Sequence, residues 1–145
     1  MKACIYGAGA IGGWLGMRLA RAGCDVSVVA RGATLEAVKQ HGLRLVSPST
    51  SSGRTETLSA PVRASANPAE LGVQDLVVIA VKSQAMADVA KAIGPLLGPE
   101  TIVLTAMNGV PWWFFEGFGG ALAGTRLQAV DHDGSIARAI PGHHI

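Results

Sequence analysis

Charged residues are scarce in this chain, making up 15% of 145 residues against 49% hydrophobic, and the net charge is only +2. With a mean hydropathy of +0.35, that balance excludes a disordered chain. The small net charge also argues against nucleic acid or an anionic membrane surface as partner. Cysteine is almost missing: Cys4 and Cys24 lack CxxC spacing and sit among apolar residues. They read as two reduced, buried thiols of a cytoplasmic protein. No apolar run reaches the ~18 residues that a membrane span needs. The uncharged stretch 3–17 resembles a leader peptide, but Gly7, Gly9, Gly12, Gly13 and Gly16 break it, and the same residues fit another motif. Aromatics are few as well, yet four of the seven stand together as Trp112, Trp113, Phe114 and Phe115. Such a run predicts an apolar plug: packing inside this domain or against another, or a lid over a bound ligand. If exposed, it predicts a sticky or oligomeric chain, a homodimer included.

What is present is alternation. Short apolar stretches at 3–6, 26–30, 76–81 and 101–107 read as strands buried on both faces. Between them lie helical segments at 10–21, 34–41 and 88–97. In the first helix Ile11, Leu15, Leu19 and Ala22 recur at helical spacing, with Gly23 as its stop. Thr34 is the expected cap of the second helix and Gly42 its end. Residues 43–46 and 57–62 predict a hairpin around the polar stretch 47–56, read as a mobile loop, with a short edge strand after it. Asn67-Pro68 predicts a helical turn, the region around Ala121 a helix, and 141–145 a fading tail. Strands alternating with helices imply an α/β protein with a doubly wound, mainly parallel sheet.

The segment after the first strand, YGAGAIGG, contains G-x-G-x-x-G at Gly7, Gly9 and Gly12. The bare pattern is weak in a chain with 19 glycines, but here a strand precedes it and an amphipathic helix follows. In a Rossmann-type domain the first glycine turns the chain, the second admits backbone to a pyrophosphate, and the third allows close helix–strand packing. The helix start then offers unpaired N–H groups to phosphate. The end of the second strand ordinarily carries a carboxylate for the ribose hydroxyls of NAD. It is missing here; Arg31 takes its place, and its planar fork suits the 2′-phosphate of NADP(H). Lys82 and Asn108-Gly109 follow the third and fourth buried strands, where ligands of open α/β sheets sit. Lys82 reads equally as a charge ending a buried strand. The four histidines, His41, His132, His143 and His144, form no ligand constellation, and the last pair reads as a solvated tail rather than a metal site.

Taken together, GAGAIGG (7–13), VVARG (28–32), VIAVKSQ (78–84) and TAMNGV (105–110) resemble the ketopantoate reductase family over essentially the whole chain. The resemblance implies a cofactor-binding stretch of Gly7, Ala8, Gly9, Ala10, Ile11 and Gly12, joined by Arg31, Lys82 and Asn108, with Asn108 also reaching substrate. It implies NADPH-dependent reduction of a small 2-keto acid, with pantothenate synthesis as the named pathway. Residues 1–145 then form a Rossmann domain incomplete at its C-terminal end. The catalytic lysine and the substrate-binding glutamate belong to a helical C-terminal domain absent from these residues, so none of the residues here is assigned catalysis. Gln84 lies two residues after Lys82, where many relatives place a glutamine at three, and receives no role. A non-enzymatic NADP-binding module and a Rossmann dehydrogenase for a different hydroxyacid remain as alternatives.

Overall fold

The computed structural model describes residues 1–48, 55–117 and 119–145. Five parallel strands form the main sheet in the order β5-β2-β1-β6-β7. They are β1 (Lys2–Tyr6), β2 (Asp25–Val29), β5 (Arg63–Ser65), β6 (Leu76–Ile79) and β7 (Ile102–Thr105). Continuous apolar runs place Ile5, Val28 and Val78 on one face and Cys4, Val77, Ile79 and Val103 on the other, all buried. The first set packs with Met17 of α1 (Ala10–Arg21) and with Leu35 and Val38 of α2 (Gly32–His41). The second packs with Met86, Val89 and Ala90 of α3 (Met86–Ala92) and with Ile136 of α4 (Ser135–Ala139). The expected hairpin is present as β3 (Leu43–Pro48) paired antiparallel with β4 (Thr55–Ala60), separate from the main sheet. The tip of the loop expected to be mobile, 49–54, lies outside the described residues. No helix among the described residues is long and apolar enough to cross a membrane.

The strand order reverses at β1, with β2 and β5 on one side and β6 and β7 on the other. That is the topological switch point, where such sheets open a crevice beyond their carboxyl ends. Everything expected at the site therefore converges on the ends of β1, β2, β6 and β7.

Several local readings differ. Only half of the Ile11–Leu15–Leu19–Ala22 stripe of α1 packs inward: Leu15 and Leu19 lie partly buried against the core, Ile11 (59% exposed) and Ala22 face out, and Gly12, Gly16 and Met17 are the buried residues. Glycines carry no side chain, so apolar periodicity misses a face built from them. Here they let the helix axis approach the sheet, and a Cβ on Gly16 would stand 2.8 Å from Leu43 Cδ1 and 2.9 Å from Ile5 Cγ1. Thr34 does not cap α2; the helix starts at Gly32, with Arg31 at the cap position and no side-chain cap bond. The expected helix 88–97 begins earlier and breaks into α3 and a 3₁₀ turn over Gly94–Leu96, because Pro95 supplies no N–H to an α-helix. Around Ala121 there is only the short 3₁₀ turn Gly120–Leu122.

The last fifteen residues depart most from expectation. Asp131, 2% exposed, accepts from the N–H groups of Ile136 (3.1 Å) and Ala137 (3.0 Å) and thereby starts α4. Beyond it the tail is seated: Ile140 is fully buried, and His144 Nδ1–H donates to the Thr101 carbonyl at 2.8 Å. Thr101 Oγ1 in turn donates to the Gln74 carbonyl at 2.6 Å. His144 is thus a core residue at the amino end of β7, not part of a solvated tail.

Cys4 is buried as expected, while Cys24 is only partly so. Burial pushes the Cys4 thiol up from 9.0 to about 11, against weaker opposing effects of Ser27, Val29 and Arg63. Folding thus favours the protonated thiol. Stability is full below 9.0, the unfolded-chain value, and drains as pH rises toward about 11, by about 2–3 kcal/mol in total. Urea titrations at pH 8 and 10.5 are expected to show that loss and Cys4→Ala to remove most of it. A native-state thiol count at pH 8 is expected to find Cys24 reactive and Cys4 protected.

Candidate functional site

Gly7 leaves β1 with φ +99°, a region nearly closed to other residues. Its N–H donates to the Val29 carbonyl at 3.0 Å, tying the turn to the end of β2. A Cβ there would lie 2.8 Å from Val81 Cγ1 and 3.0 Å from the Ala80 carbonyl oxygen. At Gly12 a Cβ would run into the Gly7 carbonyl oxygen and stand 3.0 Å from both Ala80 Cβ and Ile5 Cγ2. Gly9 is different in kind. It caps α1 with ordinary extended backbone (φ −73°), and a Cβ on it would meet no protein atom within 4 Å. Two glycines make room for the protein's own backbone; the middle one leaves room for something else.

The start of α1 is equally undefended. It has no side-chain cap and no acidic residue in its first turn, so its N–H groups and dipole stand ready for an anion. Gly9, Ala10 and Ile11 form one wall of a groove of about 490 Å³ whose other walls are Ala80–Gln84 after β6 and Ala106–Asn108 after β7. Lys82 and Asn108, separated by 26 positions in sequence, thus share one groove with the glycine turn. A comparable hollow of about 520 Å³ lies between α1, α2 and β3. The groove past β6 and β7 is the better candidate, because it sits at the switch point.

Arg31 stands at the end of β2, beside Tyr6, the last residue of β1. Burial raises the Tyr6 hydroxyl pKa, and Arg31 partly offsets this. The guanidinium is at the same sheet edge as the glycine turn, where it pairs with Asp88 of α3 at 3.6 Å. Both side chains are more than half exposed (67% and 57%), so the pair is worth no more than about 1 kcal/mol and yields readily to a stronger anion. Sequence reasoning did not find Asp88, since nothing in its spacing ties it to Arg31.

The aromatic run splits. Trp112 is 4% exposed and joins the core on the α3 side, Trp113 packs against it, and Phe114 is 41% exposed. Phe114 and Phe115 meet edge to face, with centroids 5.1 Å apart. The indole N–H groups of Trp112 and Trp113 are buried without a protein acceptor, each a cost of about 1–3 kcal/mol. Among the described residues no three metal-ligating side chains gather.

A family model described as Ketopantoate reductase PanE/ApbA matches residues 3–111, which contain all the site residues named so far except Trp112, Trp113 and the two phenylalanines. The chain belongs to the ketopantoate reductase family. It is 52% identical over 141 residues to 2-dehydropantoate 2-reductase of Mesorhizobium japonicum, covering 97% of this chain and 41% of that protein. A crystal structure of a ketopantoate reductase candidate from Ralstonia solanacearum superposes with TM-score 0.86 at 56% identity, covering 98% of this chain and 42% of the other. D-mandelate dehydrogenase, solved with NADH and anilino(oxo)acetate, matches 76% of this chain and 34% of its own length at 26% identity and TM-score 0.63. The chain thus spans about two fifths of the closely similar family members, and what it shares with them is the nucleotide-binding α/β region.

Proposed function

We propose that residues 1–145 are the NADPH-binding part of a ketopantoate-reductase-like enzyme that reduces a 2-keto acid, ketopantoate or a related acid. The observation that carries the choice of cofactor is a cation, Arg31, at the end of β2 and at the cap position of α2, whose first turn holds no acidic residue. A 2′-phosphate adds two negative charges near that cation, and a charge-assisted, bidentate contact is worth about 1.5–3 kcal/mol. D-mandelate dehydrogenase was solved with NADH, so family membership alone does not choose between the two cofactors. The residues present fit NADPH: Gly9 and the start of α1 would hold the pyrophosphate, Arg31 the 2′-phosphate, and Lys82 and Asn108 the nicotinamide end. When bound it would supply a hydride. The chain's own part is to fix the cofactor and to hold the keto acid near Asn108, whose amide both donates and accepts. Exposed Lys82 holds a positive charge in the groove. The proton donor is assigned to the catalytic lysine of the family's helical C-terminal domain, outside the shared region.

The test is affinity for NADPH and NADH, measured on wild type, Arg31→Ala and Asp88→Asn. Wild type is expected to prefer NADPH by at least about tenfold, and Arg31→Ala to lose most of that preference while keeping NADH binding. Asp88→Asn frees the guanidinium from its competitor and is expected to tighten NADPH binding severalfold. Equal binding of both cofactors by wild type would overturn the NADPH assignment.

A further inference from the structure

The Arg31 guanidinium has two neighbours, and one of them carries no charge. Tyr6 closes β1 opposite Val29 of β2, and Arg31 follows two residues after Val29. The Tyr6 ring is buried in the core on the α3 side of the sheet, in one cluster with Val29, Ile79, Met86 and Val89. Its hydroxyl accepts a hydrogen bond from the Arg31 side chain, while Asp88 pairs with the same guanidinium at 3.6 Å. Three elements thus meet at one cation: the end of β1, the end of β2 and α3. A phenylalanine would fill the same core space, so packing does not account for the hydroxyl.

An incoming 2′-phosphate treats the two contacts differently. Asp88 is negative and more than half exposed, so the phosphate repels it and takes its place. Tyr6 is fixed by its packed ring, and burial raises the pKa of its hydroxyl, which keeps it uncharged in neutral solution. Its bond to Arg31 therefore survives the exchange. One contact leaves the rest of a guanidinium with five N–H donors free for phosphate. An exposed arginine gives up rotamer freedom when it binds a ligand, and one already tethered gives up less. We propose that Tyr6 is a positioning residue for cofactor choice: its hydroxyl holds the Arg31 guanidinium where the 2′-phosphate of a dinucleotide arrives, and so favours the phosphorylated cofactor over the unphosphorylated one. The inference rests on the NADPH reading and adds to it a residue that does not itself touch the cofactor.

Tyr6 is the chain's one tyrosine, so protein isotope-labelled at the tyrosine Cζ gives a single NMR signal beside the hydroxyl. Adenosine 2′,5′-bisphosphate is expected to shift that signal saturably, and adenosine 5′-monophosphate, which lacks only the 2′-phosphate, to leave it in place. Arg31→Ala is expected to abolish the response. Tyr6→Phe, which keeps the ring, is expected to weaken NADPH binding by about tenfold while NADH affinity stays within about twofold. In an Arg31→Ala background the same substitution is expected to change nothing further, because the two side chains act as one unit. If wild type prefers NADPH but Tyr6→Phe keeps that preference, or if the Tyr6 signal answers both nucleotides alike, the inference fails and the cofactor reading stands. Should Tyr6→Phe not fold, the wild-type signal with the two nucleotides decides alone. Equal affinity of wild type for NADPH and NADH would remove the NADPH reading, and this inference with it.

Discussion

Gly9→Ala is expected to fold and to lose NADPH. The added methyl meets no protein atom within 4 Å, and the backbone there is extended and open to any residue (φ −73°). The stability cost is that of alanine in place of glycine at a helix cap, about 0.5–1 kcal/mol, or roughly 2–4 °C in Tm for a chain of this size. A pyrophosphate resting on the same backbone would be displaced by a methyl carbon that nothing in the protein can move aside. A loss of about two orders of magnitude in affinity corresponds to ~2.7 kcal/mol, an ordinary amount for a steric intrusion under a charged ligand. Paired thermal melts and NADPH titrations of the variant check both halves. A variant that melts normally and still binds NADPH with wild-type affinity would remove the dinucleotide from this turn altogether.

The same residue shows why parts of the site were readable and others were not. Gly7, Gly9, Lys82 and Asn108 could be placed at the sheet edge from sequence because each lies within three residues of the end of a buried strand, and parallel strands of one sheet end at one edge. Arg31 follows by the same rule. The parallel sheet, the hairpin and the short edge strand came through for a similar reason, since unbroken apolar runs and polar punctuation are local signals. Contacts set by three-dimensional approach left no such trace. The Arg31–Asp88 pair joins the ends of β2 and the start of α3 across 57 positions. Two of the three buried residues of α1 are glycines, Gly12 and Gly16, which hydropathy cannot register, while Ile11 of the expected stripe lies outside. His144 reads as a tail residue until the chain folds back and Thr101 offers its carbonyl. Asp131 is a helix cap five positions ahead of the first amide it bonds, a longer reach than the usual cap signature covers.

Gly12→Ala should behave in the opposite way from Gly9→Ala, and the comparison tests whether the glycines divide their work as the geometry implies. In an exposed helix the change would be a gain, since alanine is favoured over glycine by about 1 kcal/mol. Here the new Cβ collides with the Gly7 carbonyl oxygen and presses on Ala80 Cβ and Ile5 Cγ2 at 3.0 Å. A backbone oxygen in a tight turn cannot rotate away as a side chain can, so α1 must lift off the sheet. Overpacking of this kind costs about 1–3 kcal/mol or more, and the obstacle being backbone puts it at the upper end. Subtracting the propensity gain leaves a net loss of about 2 kcal/mol, or some 6–8 °C in Tm. Moving Gly7 also disturbs the turn, so NADPH affinity falls together with stability rather than independently of it. Gly13, one residue on, supplies the control: its Cβ would meet only the Ala8 carbonyl oxygen at 4.0 Å. Gly13→Ala is therefore expected to keep the propensity term and melt a few degrees higher than wild type. Calorimetry of the two variants side by side decides the matter, and a Gly12→Ala protein as stable as the Gly13→Ala one would mean that α1 does not sit on β1 as closely as its glycine face requires.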